Sequence, residues 1–334
     1  MRMPQCRRAL ALALTLAAIG LLLLPTGPAL ARDPLTKLKV VTTVAPHADL
    51  VREIAGDRVD RVQMIPDGTD SHTFEPRPSD ATFLQAADLI VLNGLHLETP
   101  TQRMADANKR PDTTYLFLGD NTISSADYLF DFSFPAAKGD PNPHLWLNVA
   151  YARNYAQLIA DKLVELDPDN AAYYQANFGT LAARMDQLDR AIFQAVQALP
   201  ENHRKLLTYH DSWAYFGRRY GMEVIGAIQP SDFGEPSPRE VAALIDQIRA
   251  NDVPAIFGSE VYPSPVLEVI GRETGANYIS SLRDDELPGN PGDPRHTYLG
   301  LMLEDMRTMF GGLGGTTTFF DGIDPSPFAV ANQG

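Results

Sequence analysis

The stretch Asp167–Pro200, DPDNAAYYQANFGTLAARMDQLDRAIFQAVQALP, decides the fold. Tyr174, Phe178, Leu181, Met185, Leu188, Ile192, Val196 and Leu199 recur every three or four residues, the spacing of one helix face. Asp167 reads as an N-cap with Pro168 at the first helical position, and Pro200 ends the pattern. The expected helix has about 32 residues and spans roughly 48 Å at 1.5 Å per residue. One small lobe does not need such a helix. It reads either as a core helix of one domain or as a strut running along two, and the patterns on its two sides favour the strut.

On the N-terminal side, short apolar runs read as buried strands: Leu38 to Val44, Val59 to Ile65, Asp88 to Asn93 and Tyr115 to Leu118. The helix Pro46 to Ala55 follows the first and stops at Gly56. Ser79 is the expected N-cap of a helix Asp80 to Ala87. Val149, Ala152, Ala156, Ile159, Leu163 and Leu166 mark a further helix before the strut. On the C-terminal side the expected strands are Lys205 to Tyr209, Glu223 to Ile228, Ala255 to Gly258 and Asn277 to Leu282. They alternate with helices Ser212 to Tyr220, Pro238 to Ala250, Pro265 to Thr274 and Thr297 to Phe310. Alternating strands and helices imply βα units with parallel strands. The expected fold is α/β: two similar lobes with mostly parallel sheets, residues 32–166 and 201–334, joined by one long rigid α-helix over 167–200.

The first residues read differently. Arg2, Arg7 and Arg8 precede the apolar run Ala9 to Leu24, and Ala29-Leu30-Ala31 has the form of an export cleavage site. Residues 1–31 are therefore expected to be a signal peptide, and the working protein periplasmic. The run is short for a membrane anchor. Loss of three Arg and no acid takes the net charge from −14 to −17. Cys6, the single cysteine, lies ahead of the apolar run rather than at its end, where a lipid attachment cysteine would sit. The mature chain then has no thiol for a disulfide or a metal. The acidic balance of 42 Asp+Glu against 28 Lys+Arg argues against a nucleic-acid partner.

Ligands of α/β lobes sit outside the carboxyl ends of the parallel strands. His72 lies in the loop after the second strand, His144 before the helix that precedes the strut, His210 directly after the strand Lys205 to Tyr209, and Asp284 and Asp285 after Asn277 to Leu282. Three imidazoles and one carboxylate at the mouth between two lobes suit a tetrahedral Zn²⁺. Mn²⁺ more often draws two carboxylates. No H-x-x-x-H pair, G-x-S-x-G elbow, phosphate loop or dinucleotide fingerprint is present. His96, at a strand exit, is a weaker ligand candidate. His47 reads as structural, His203 as a surface residue and His296 as a cap of the last helix. Glu260, Asp211 and Glu75 are candidates to orient a ligand histidine.

The stretches Val40-Val-Thr-Thr43, Pro66-Asp-Gly-Thr-Asp-Ser-His72-Thr-Phe-Glu-Pro-Arg-Pro-Ser-Asp80 and Ala87-Asp-Leu-Ile-Val-Leu-Asn-Gly-Leu-His-Leu-Glu98, with Asp140-Pro-Asn-Pro-His144-Leu-Trp-Leu and Tyr209-His210-Asp-Ser-Trp-Ala-Tyr-Phe216, carry a resemblance. Over nearly the whole mature chain the sequence resembles the zinc/manganese class of solute-binding proteins that feed ABC importers. The resemblance implies a metal held between the lobes by His72, His144, His210 and an Asp after a late strand, Asp285 with Asp284 as the alternate. It implies a high-affinity periplasmic receptor that hands Zn²⁺ to an ABC-importer permease, acting as a monomer and without catalysis; a periplasmic metallochaperone is a candidate further partner that the sequence itself does not specify. The alternatives are the same role for Mn²⁺ or Fe²⁺, or a secreted zinc metallohydrolase. Histidine at position 210 is similar to zinc-importing members, whereas manganese members resemble one another in carrying Glu there. The loop Asn121 to Pro143 departs from many zinc members: it has no histidine cluster, and carries Asp127, Asp131 and Asp140 among Tyr128, Phe130, Phe132 and Phe134. It reads as an acidic-aromatic lid, a docking surface, or an ordinary loop packed by its aromatics.

Overall fold

A computed structural model describes residues 36–229, 233–259 and 265–329. The expected signal peptide and Glu260 lie outside them. The N-terminal lobe has strands β1 (Leu38–Thr42), β2 (Val59–Gln63), β3 (Leu89–Leu92) and β4 (Thr114–Phe117), all parallel, in the order β2-β1-β3-β4. The C-terminal lobe repeats the arrangement. Its strands β5 (Lys205–Thr208), β6 (Glu223–Ala227), β7 (Ala255–Ser259) and β8 (Asn277–Leu282) are parallel in the order β6-β5-β7-β8. Strand order therefore reverses at β1/β3 in one lobe and at β5/β7 in the other, and each reversal opens a crevice at the strands' carboxyl ends.

Helices α1 (Ala45–Ala55), α2 (Ala81–Ala86), α3 (Thr99–Asn108) and α4 (Val149–Leu166) belong to the first lobe. Helices α6 (Ala214–Tyr220), α7 (Pro238–Asn251), α8 (Pro265–Thr274) and α9 (Tyr298–Gly312) belong to the second. The sequence pattern missed α3. Its polar segment TPTQRMADAN buries only Thr101 and Ala105, so no apolar stripe announces it. Ser79 does not cap α2: it lies inside the short 3₁₀ turn Pro78–Asp80, and α2 starts after Asp80. Nor does His296 cap α9. The cap is Thr297, whose hydroxyl accepts from the Gly300 N–H.

The long helix is α5 (Ala171–Ala198), 28 residues and so about 42 Å. Pro168 opens a 3₁₀ turn ahead of it, which shortens the α-helical part relative to the sequence pattern. It packs on α1 and α4 of the first lobe and on α6 and α9 of the second. Tyr174, Leu181, Met185, Leu188, Ile192, Val196 and Leu199 of the predicted stripe are buried in one apolar cluster, and Phe178, the eighth, is partly buried against it. That cluster contains Leu50 and Val91 of the first lobe and Phe257 and Met302 of the second. The buried Asn177 amide donates to the Ile54 carbonyl at the end of α1 (2.9 Å).

Polar bonds also cross between the lobes. The Tyr298 N–H, at the start of α9, donates to Asp49 of α1 (2.6 Å). Tyr298 donates its hydroxyl to the Trp146 carbonyl (2.8 Å), and the Trp146 indole donates to the Asp284 carbonyl (2.7 Å). A common core and buried bonds of this kind resist independent motion of the sheets. Truncating the stripe at Leu188→Ala should cost about 2–5 kcal/mol. Calorimetry of the metal-free protein should show both lobes melting in one transition, shifted down together; two separated transitions would contradict a shared core.

Candidate metal centre

The mouth between the lobes is where the loops after β2 and β5, the segment before α4 and the turn after β8 converge. His72, His144 and His210 point their Nε2 atoms at one another. The separations are 3.2 Å (His72 to His144), 3.2 Å (His72 to His210) and 3.0 Å (His144 to His210). Among the described residues these three form the one group of His, Cys, Asp or Glu with donor atoms close enough to share an ion. A tetrahedral ion with Zn–N of about 2.0–2.1 Å sets neighbouring nitrogens about 3.3 Å apart, close to these edges.

Each ring is held from behind. His144 Nδ1 faces the Asn142 side-chain oxygen (2.8 Å) and His210 Nδ1 faces the Gln229 side-chain oxygen (2.6 Å). Both amides are oriented by their other ends. Asn142 donates to the Asp211 carbonyl (2.7 Å), and Gln229 donates to the Phe233 carbonyl (3.3 Å). With an acceptor oxygen behind it, each Nδ1 carries the proton, which leaves the Nε2 lone pair directed into the site. His72 is held by ring packing. Phe233 stacks on it at 4.6 Å between centroids, and Phe134 lies 5.5 Å away. Its backbone N–H donates to Asp70 (2.9 Å), which fixes the turn.

Two of the rings are also held neutral. Burial, reinforced by the neighbouring His210, pushes His72 down to about 3. Burial and the two other rings hold His144 well below the usual imidazole range. On the acidic side, burial and the adjacent Asp285 raise Asp284 well above a normal carboxyl, and burial raises Asp285 to about 6 despite the nearby His210. Asp284 Oδ2 lies 3.8 Å from His210 Nε2. Asp285 sits beside Ser71.

The remaining histidines stand apart. His47 is fully buried in α1, edge-on to Trp146 and Tyr155, and neither ring nitrogen has a hydrogen-bond partner. His203 is half-buried and its Nδ1 pairs with the Leu313 carbonyl (2.9 Å). The His296 carbonyl accepts from Arg52 (3.0 Å). His96 is exposed, with its ring 3.8 Å from Asp140, across a cavity of about 230 Å³ that reaches His72. Glu75 is exposed. Sequence reasoning did not single out Asn142 and Gln229. Asn142 carried a local signal, two residues before a candidate ligand. Gln229 carried none, since only the fold brings the end of β6 behind His210.

The loop Asn121 to Pro143 is a strap. It leaves the first lobe at β4 and bonds to the second. Leu129 N–H donates to the Tyr215 hydroxyl (3.1 Å), and Ser133 N–H donates to the Asp211 carboxylate (2.7 Å). Phe134 is buried, while Phe130 and Phe132 are exposed.

The family described as zinc-uptake complex component A, periplasmic, matches residues 40–311. The chain belongs to that family. It is thus a metal-binding substrate-binding protein of an ABC importer, not an enzyme. Its curated relatives include the metal ABC transporter substrate-binding lipoprotein SsaB of Streptococcus sanguinis, 28% identical over 90% of this chain and 97% of the relative. The manganese-binding lipoprotein MntA of Halalkalibacterium halodurans is 28% identical over 83% of this chain and 88% of its own length. The iron ABC transporter substrate-binding lipoprotein MtsA of Streptococcus pyogenes serotype M1 is also 28% identical, over 77% and 84%. Among solved structures, the periplasmic zinc binding protein TroA from Treponema pallidum superposes with a TM-score of 0.75 and 28% identity, covering 83% of this chain and 99% of that one.

The depressed histidine has a measurable consequence. His72 is neutral in the folded state down to about pH 3, whereas the unfolded chain takes up a proton near pH 6.5. The unfolded state binds more protons between these values, so its contribution to stability falls as pH falls, by up to about 1.4 kcal/mol per unit. Urea unfolding of the metal-free protein at pH 7, 6 and 5 should show this loss, and His72→Gln should reduce the slope. An unchanged slope would mean that His72 titrates normally.

Proposed function

We propose that this protein is a periplasmic zinc receptor. It captures Zn²⁺ between its lobes with high affinity and delivers it, as a monomer, to the permease of an ABC importer. The observation that carries the reading is the triangle of three imidazole Nε2 atoms with edges of 3.0–3.2 Å. An all-imidazole face suits zinc, whereas manganese favours carboxylate oxygens. His210 is the deciding position, because a carboxylate there would shift the donor set towards manganese. The relatives named for manganese and iron keep those ions as the second reading.

In this proposal His72, His144 and His210 are three ligands and the Asp284–Asp285 turn supplies the fourth. The 3.8 Å approach of its carboxylate to His210 Nε2 supports Asp284 for that role over Asp285, the residue expected from the sequence. Asp284 would give up its proton as the ion binds, which makes capture weaken with acid. Four protein ligands leave no open position for a reactive water, consistent with a carrier.

Chelator-competition titrations of the metal-free protein with Zn²⁺ and Mn²⁺ test both points. Zinc should bind in the nanomolar range and far more tightly than manganese; micromolar zinc binding, or tighter manganese binding, would sink the zinc assignment. Asp284→Ala should weaken zinc binding by more than about 100-fold, and Asp285→Ala by less, because loss of a ligand exceeds the 10–100-fold typical of outer partners. The reverse order would move the fourth ligand to Asp285.

A further inference from the structure

Behind the imidazoles the hydrogen bonds close a circuit through both lobes. His144 Nδ1–H donates to Asn142, and Asn142 Nδ2–H donates to the Asp211 carbonyl, at 2.8 and 2.7 Å. The Asp211 carboxylate accepts from Ser133 N–H (2.7 Å), and the Ser133 hydroxyl donates to the Gln229 carbonyl (2.7 Å). Gln229 returns to His210, whose Nδ1–H donates to its side-chain oxygen (2.6 Å). Ser133 is thus the joint between the strap and the second lobe. It is buried and commits both its N–H and its hydroxyl to groups that flank or orient His210.

We propose that Ser133 is a positioning residue for metal retention: through Gln229 and Asp211 it locks the strap, and with it Asn142 and His144, to the lobe that carries His210. The inference rests on the reading that the three histidines hold the ion. Asn142 and Ser133 lie on the same strap, so one displacement of it strains the support of both rings. The first lobe's His144 and the second lobe's His210 are only 3.0 Å apart at Nε2. Their separation is therefore set by the joint as well as by the core beneath. Ser133 fixes how fast the ion leaves, and loosening the strap is the motion by which a partner would extract it.

The test uses the mature protein loaded with zinc and mixed rapidly with excess chelator. Ser133→Ala should release zinc roughly 3- to 10-fold faster, the effect of one buried hydrogen bond, with association unchanged. With Co²⁺ as the probe, the visible absorption of a tetrahedral site should weaken and broaden in Ser133→Ala, and Ser133→Thr should restore both readouts. If Ser133→Ala fails to fold, Tyr215→Phe removes the acceptor of the Leu129 N–H, a second bond from the strap to the C-terminal lobe, and should speed release in the same direction. Parent-like release and cobalt spectra in the folded variant would overturn the proposal. Absence of a tetrahedral cobalt spectrum in the parent would instead overturn the three-histidine site, and the proposal with it.

Discussion

Everything at the mouth depends on two sheets being held at a fixed separation. Nitrogens that must meet at about 3 Å, one from each lobe, tolerate little relative movement. The constraint is met by sharing one apolar core rather than by docking two. The stripe of α5 is buried against α1 and α4 on one side and α6 and α9 on the other, and Leu50, Val91, Phe257 and Met302 belong to the same cluster. Displacing one lobe would open voids along a helix of about 42 Å, at a cost that grows with cavity volume. The bonds from Tyr298 to Asp49 and Trp146 add direction to that non-directional packing.

On this frame the site is built to be neutral before the ion arrives. Three imidazolium ions could not approach to 3.0–3.2 Å, and burial disfavours the charged form of His72 and His144. Amide oxygens behind Nδ1 hold the tautomer that bares Nε2 without adding a formal charge. A carboxylate behind the ring would have favoured the imidazolium instead. Asp284 and Asp285, in the turn beside His210, are both raised by burial, and their charge becomes affordable when a dication neutralises it.

Much of this was legible in the chain. The eight strands were placed to within two residues because each is a short apolar run ended by a turn, and α5 was read from its stripe and from Pro168 and Pro200. The three histidines were found because loops after parallel strands share one edge. The polar helix α3 was missed because it buries little. The caps Ser79 and His296 were misread because cap chemistry depends on backbone geometry at one residue, and here Asp80 and Thr297 hold those positions. Gln229 was invisible, as nothing in the local sequence distinguishes an amide at a strand end from a surface residue.

By itself, the sequence determined the two α/β halves, the helix between them and the residue types available at the mouth. Those follow from periodicity and turn chemistry, which act over a few residues. Only the tertiary structure decided that His72, His144 and His210 meet at Nε2, that Asn142 and Gln229 hold two of the rings, that an Asp284 oxygen comes within 3.8 Å of His210 Nε2, and that the loop Asn121 to Pro143 straps one lobe to the other. Each of these is a distance between residues far apart in the chain. Such distances are set by how the shared core packs around α5, which no local pattern encodes.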